Sequence, residues 1–298
     1  MKNINYRQLW KNIEGSKKQP LRCRELKVID YQEFKENVLS SNEDFMHEIV
    51  DSLYSGDFYI LKSAYSEKFI KDLQKNTFQY FKDKPSEFHK MLEGSPDFHR
   101  KIDLETGKKY SINGCKHSFY FYAWNDDPLK IWEPIYQRWR IIKKVMGLEE
   151  KEYENNTPKD GVIDRIQVVQ YPSKIGYLEP HSDPYKYQRL IHSVYMSKQG
   201  IDFEGMGFYV LGENDKIKET EHLIDVGDIG IGYATVYHGV APVNLNKVPN
   251  WEDVNDGRWF LSLYSNESDE VKVRHTSQSV TEKIDINKKF KDKIFPNS

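Results

Sequence analysis

The 298-residue chain carries 44 Lys and Arg against 46 Asp and Glu, a formal net charge of −2, and is 38% hydrophobic and 14% aromatic. That balance argues against the basic surface of a nucleic-acid-binding protein, and Cys23 and Cys115 are too few for a disulfide framework or a thiolate metal site. No apolar run is long enough to span a bilayer and the start lacks the apolar stretch of a secretory signal, so the expectation is a soluble, cytoplasmic protein with no membrane partner.

The length suits one domain over 1–298, with a flanking region over 1–160, a core over 161–266 and a C-terminal extension over 267–298. Residues 1–40 are polar and lysine-rich, with a loop at 15–20 and a short strand at 26–31. Phe45, Ile49 and Leu53 recur at helical spacing over 43–54; a strand follows at 56–61, and Ser66 caps a helix bearing Phe69, Ile70, Leu73 and Phe81. Prolines and glycines punctuate 84–116, which reads as a loop, either a surface excursion or a cover over a site. Residues 118–124 alternate large aromatics on both faces, the mark of a core strand more than of a substrate-stacking wall. Asp127-Pro128 opens a helix with an apolar stripe, Leu129, Trp132, Tyr136, Trp139, Ile142 and Met146, unless Pro134 marks the true start. Arg138 and Arg140 on it read as solvated or ion-paired.

Short runs separated by turn signals then follow at 163–171, 189–197, 207–211, 222–226, 229–238 and 257–265. This is the pattern of a sandwich or jelly roll, so the fold class is mainly β with flanking helices. Alternation along 163–171 puts Arg165, Gln167, Val169 and Tyr171 on one face, the one that would line a barrel mouth. From 276 onward the chain is a docking tail, a short helix or a frayed end.

One short stretch organises the rest. Residues i and i+2 of a strand share a face, so His181 and Asp183 in Pro180-His-Ser-Asp-Pro184 present an imidazole and a carboxylate side by side. His238 closes the run 229–238 and supplies a third donor. Two neutral imidazoles and one carboxylate on one side of a metal suit non-haem Fe(II). The other histidines, 47, 89, 99, 117, 192, 222 and 275, have no partner at ligand spacing and read as surface or core residues.

The order of these features, strand, His181-x-Asp183, the strand ending at His238, then Gly257-Arg258, resembles the Fe(II)- and 2-oxoglutarate-dependent dioxygenase superfamily over roughly residues 160 to 266. The resemblance implies a double-stranded β-helix (jelly-roll) core, iron on His181, Asp183 and His238, and Arg258 on the distal carboxylate of 2-oxoglutarate, with Tyr171 also touching the co-substrate. Arg258 lies 20 positions past His238 (258 − 238), further than the family pattern, and Phe260 stands where one large subgroup has serine. The excess is read as an inserted loop over 244–257, either a lid touching substrate through Trp251 or an ordinary surface hairpin. Gln167, Arg165 and Arg189 are further candidates for substrate or co-substrate contact.

The function so implied is hydroxylation of a small metabolite, such as an amino acid or a natural-product intermediate, with O₂ and 2-oxoglutarate consumed and no catalytic side chain beyond the metal ligands. A protein side chain is the alternative substrate. Two other classes stand beside it: a cupin-like metal-binding isomerase or non-redox binding protein, which has no need of Arg258, and a catalytically silent domain.

Overall fold

The computed structural model describes residues 5–286 and 288–295. Residues 1–4, at the start read for a leader, and residues 287 and 296–298 of the C-terminal extension lie outside the described part.

The flanking region holds more structure than the sequence suggests. Within 1–40, helix α1 (Tyr6–Ser16) is capped by the Asn5 side chain and buries Tyr6, Leu9 and Trp10. Strand β1 (Leu26–Asp30) is followed at once by α2 (Tyr31–Leu39), capped by Asp30, and by α3 (Glu43–Tyr54), capped by Asn42. Strand β2 (Phe58–Lys62) and helix α4 (Glu67–Phe81), capped by Ser66, come next. The stretch 84–116, expected as a loop, contains β3 (Phe98–Ile102) and the short α5 (Leu104–Gly107). Its cue was hidden because β3 mixes Phe98 and Ile102 with His99, Arg100 and Lys101, and is a strand only through its pairing with β4 (Gly114–Tyr122). Helix α6 begins at Trp132 and runs to Val145. Pro134 therefore sits in its first turn, where a missing N–H costs nothing, and the Asp127 carboxylate accepts from the backbone N–H groups of Ile131 and Trp132 at 2.9 and 3.1 Å.

Eight strands follow: β5 (Val162–Tyr171), β6 (Tyr177–Ser182), β7 (Leu190–Tyr195), β8 (Phe208–Leu211), β9 (Ile217–Glu219), β10 (Ile229–Tyr233), β11 (His238–Val240) and β12 (Arg258–Glu267). They pair in the order β5-β12-β7-β10 on one side and β6-β11-β8-β9 on the other, all antiparallel. Two interleaved four-stranded sheets in this order are a double-stranded β-helix. The first is widened by β2 and β1 at one edge and by β4 and β3 at the other. A last short strand, β13 (Gln278–Ser279), lies along β6, and α7 (Lys288–Ile294) follows.

Two expected strands are corrected. The run 229–238 is not continuous: β10 belongs to one sheet and β11 to the other, and between them the chain turns, with Val236 N–H donating to Tyr233 O at 3.0 Å. Apolar residues persist through the turn because it crosses the buried space between the sheets. The run 222–226 is a single 3-10 turn at Glu221–Leu223, since Glu221 is drawn inward by an ion pair described below. The core packs Ile166, Val168, Leu261 and Leu263 of β5 and β12 with Trp139, Ile142 and Val145 of α6 in one cluster. In the same layer, α6 is tied to β5 by a fully buried ion pair between Lys143 and Asp164.

Candidate metal centre

His181 near the end of β6 and His238 at the start of β11 are direct cross-strand partners, which brings their rings to 4.2 Å between centroids. Asp183 lies one residue beyond β6, and its backbone N–H donates at 2.9 Å to Ala234 O, in the turn that precedes His238. One carboxylate oxygen then stands 3.8 Å from His181 Nε2 and the other 3.6 Å from His238 Nε2. One ligand atom from each residue falls within 4.8 Å of the other two.

Both imidazoles are oriented alike. His181 Nδ1 meets the carbonyl of Glu179, and His238 Nδ1 meets that of Val236, each at 2.9 Å and each two residues back. A carbonyl only accepts, so each Nδ1 carries the proton and each Nε2 lone pair is left to face the other ring and Asp183. Burial and then the neighbouring His238 push the His181 imidazole down to about 3, which keeps it neutral well below the ordinary histidine range. Ser277 Oγ donates to Asp183 Oδ1 at 2.5 Å and fixes the carboxylate. Two neutral nitrogens and one ionised carboxylate, each held by a partner behind it, fit a divalent iron.

The triad sits between two cavities that share Leu178, His181, Asp183 and Tyr264 as walls. The inner one, of about 450 Å³, runs back into the barrel to Arg258, Tyr171 and Tyr195. Arg258 opens β12 directly opposite Tyr171 at the end of β5. Its Nε donates to Glu221 Oε1 at 2.5 Å, and the same oxygen accepts from Phe208 N–H at 2.8 Å. Arg258 Nη1, Glu221 Oε2 and the hydroxyls of Tyr171 and Tyr195 are buried with no hydrogen-bond partner among the described residues. Groups so placed are costly unless something fills the space, and an anionic ligand would satisfy the donors.

The outer cavity, of about 1030 Å³, is walled by β4, β5 and β12 and by segments 110–112 and 274–277. Gln167 and Arg165 line it, Gln167 donating to Ser118 Oγ at 3.1 Å. Tyr120 lines the same space while its neighbours Phe119 and Phe121 are buried in the core, so the expected core strand also contributes one ring to the cavity wall. Arg189 and Trp251 line neither cavity. Arg189 pairs with Glu14 at 2.7 Å and donates to Met146 O, while the Trp251 ring lies 6.2 Å from that of His117. The 244–257 segment is bound to the sheet's outer side: Gln170 donates to Asp253 O and Asp256 O, Gln74 to Val254 O, and Lys101 pairs with Glu252.

Four residues of this site were not singled out in the sequence. Tyr195 was readable, since alternation along β7 puts Ile191, Ser193 and Tyr195 on one face. Glu221 and Ser277 carried no local cue, because each owes its place to a partner far along the chain, and Lys116 fell in the stretch read as a loop.

The molecule is thus a double-stranded β-helix protein with a buried site of two histidines and one carboxylate. No family model matches the sequence, and no curated protein does. Among solved structures it is similar to a Pseudomonas putida prolyl-4-hydroxylase (11% identity, 74% of this chain and 98% of that one, TM-score 0.47). It is similar also to a full-length Neurospora crassa protein in complex with alpha-KG and thymine (14%, 81% and 86%, 0.48) and to JOX2 in complex with 2OG, Fe and JA (14%, 91% and 86%, 0.47). At such identities the likeness carries no argument about chemistry, which rests on the residues above. No helix among the described residues is long and apolar enough to cross a membrane.

Proposed function

We propose that this chain is an Fe(II)- and 2-oxoglutarate-dependent dioxygenase that hydroxylates a small molecule. The observation that carries the reading is the continuity of the triad with a buried cavity whose far end holds Arg258 Nη1 and the Tyr171 and Tyr195 hydroxyls without partners. A non-redox cupin-like site needs the ligands but has no use for a buried guanidinium beside them.

When bound, iron, O₂ and 2-oxoglutarate supply the oxidising power, giving succinate, CO₂ and R–OH from R–H. The protein's own groups do the rest. His181, Asp183 and His238 would hold the metal through two imidazole nitrogens and one carboxylate oxygen. Arg258, with its charge partly balanced by Glu221, offers Nη1 to the distal carboxylate of 2-oxoglutarate, and Tyr171 and Tyr195 donate beside it. Phe260, stacked on Tyr171 at 5.7 Å, together with Phe208 and Val240 keeps the inner cavity apolar around these donors. The outer cavity, open to solvent beside the exposed His275 and Thr276, has room for a small metabolite, such as an amino acid or a natural-product intermediate.

Anaerobic addition of Fe(II) and then 2-oxoglutarate tests this directly: a visible charge-transfer band should appear only with both. Iron binding without any band would leave the cupin-like reading standing.

A further inference from the structure

The charges around the outer cavity do not balance. Four basic side chains line it: Lys116, Arg165, Arg274 and His275; the one carboxylate is the metal ligand Asp183. Two of the four are already paired with an acid, Arg274 with Asp269 and His275 with Glu267, the latter at 3.0 Å. Lys116 and Arg165 are not. Lys116, on β4, is half-buried and makes no hydrogen bond or ion pair among the described residues. Arg165, on β5, donates only to Gln167 Oε1 at 3.2 Å and, weakly, to Met91 Sδ at 3.7 Å, and its Nε has no partner. Its guanidinium lies beside the rings of Tyr120 and Tyr264, 5.4 and 5.0 Å from their centroids.

Two like charges lining one cavity repel, and a partly buried charge is costly unless paired. Burial, and after it the Arg165 charge, pushes the Lys116 ammonium down to about 8, a penalty that an incoming anion would relieve. A rigid guanidinium beside a free ammonium is the donor set that takes a carboxylate or phosphate.

We propose that the substrate of this site is a small anion, whose carboxylate or phosphate group is held by Lys116 Nζ and the Arg165 guanidinium while the rest of the molecule extends to His181 and Asp183. The inference rests on the oxygenase reading for what happens to the substrate, but not for its binding.

The test uses the full chain and a pool of small metabolites split on an anion-exchange resin. With Fe(II), 2-oxoglutarate and air, the retained fraction should raise succinate formation several-fold over each protein's own background, and the unretained fraction should not. Lys116→Met and Arg165→Met should each cut that rise at least tenfold, with Arg165→Lys intermediate. Phosphatase treatment that abolishes the rise identifies a phosphate ester; survival identifies a carboxylate. Metal-free protein, incubated with the retained fraction, washed and analysed by mass spectrometry, should release an anion from wild type and not from Lys116→Met. Stimulation by the unretained fraction, stimulation by neither, or undiminished stimulation and capture in both variants overturns the proposal. So does a matching rise in the 2-oxoglutarate needed for the charge-transfer band, which would give the pair to the co-substrate. If no band forms in wild type, the oxygenase reading falls alone, and anion capture by metal-free protein still decides this one.

Discussion

The three ligands depend on one another more than on any one contact, since each is oriented by a group that does nothing else for the metal. His181→Ala or His238→Ala should abolish Fe(II) binding as well as turnover, because two remaining donors cannot hold the ion; metal titration followed by activity assay checks this. Arg258→Ala leaves Glu221 as an unpaired buried acid and removes the donor for the far carboxylate, so the apparent KM for 2-oxoglutarate should rise tenfold or more while Fe(II) affinity is nearly kept. Unchanged 2-oxoglutarate dependence would place that carboxylate elsewhere. A second buried pair sets an acid limit. His99 Nε2 donates to Lys84 O at 2.9 Å, so its Nδ1 accepts from His117 Nε2, at 2.7 Å. Burial, and then His99, push His117 down to about 2. Its folded value lies below the unfolded one, near 6.5, so the unfolded chain takes up a proton that the folded chain refuses, and stability falls as pH drops from about 6.5 towards 2. Urea denaturation of metal-free protein at several pH values should show a shallower slope for His117→Gln, by up to about 1.4 kcal/mol per pH unit. At this scale the nearness of His181 and Asp183 was legible because i and i+2 of a strand share a face, and His238 because it closes an apolar run, whereas Arg258 was singled out as what the family resemblance implies. Glu221 and Ser277 were not, since what makes them functional is a guanidinium 37 positions away and a carboxylate 94 positions away.

Among elements, the segment 244–257 accounts for the long interval before Arg258. Its contacts, from Gln74, Lys101 and Gln170, all draw it to the outside of the sheet, which favours the surface hairpin over the lid. Shortening 246–255 to a Gly-Ser turn should therefore lower the melting temperature and leave the ratio of succinate to product unchanged; a drop in product with succinate maintained would restore the lid. The end of the segment is less tolerant. Gly257 has φ +73°, and a Cβ there would lie 1.9 Å from Tyr171 O. Gly257→Ala should cost about 2 kcal/mol or more in denaturant unfolding and displace Tyr171 with it. Elements with an apolar period and a cap, α3, α4, β5 and β12, could be read from sequence. The break between β10 and β11 could not, because burial keeps residues 234–237 as apolar as the strands they join.

For the molecule as a whole, the motif order disclosed the double-stranded β-helix, whereas the strands that extend one sheet, β1 to β4, come from a region that joins it through distant partners, β2 lying against β10 with Leu61 opposite Ile229 and β4 against β5. The layers are joined by the Lys143–Asp164 pair, in which Ser265 Oγ also donates to Asp164 Oδ1 at 2.6 Å and Lys143 Nζ to Glu152 O at 2.6 Å. Lys143→Met strands a buried carboxylate between α6 and β5 and should lower unfolding free energy by about 3–5 kcal/mol, most of it recovered in Lys143→Met/Asp164→Leu. Equilibrium denaturation of the three proteins decides whether the pair or its shape matters.

Ser277 and β13 give iron retention a kinetics of its own. The barrel is held by long ladders, but the group that steadies Asp183 stands just before a two-residue strand at the edge of β6, with Gln278 exposed. Such an edge opens far more often than the body of the protein unfolds. Each opening frees the carboxylate while both imidazoles stay in place, so the ion should leave through brief local fluctuations. Its dissociation rate should accordingly respond to Ser277→Ala and hardly to moderate urea.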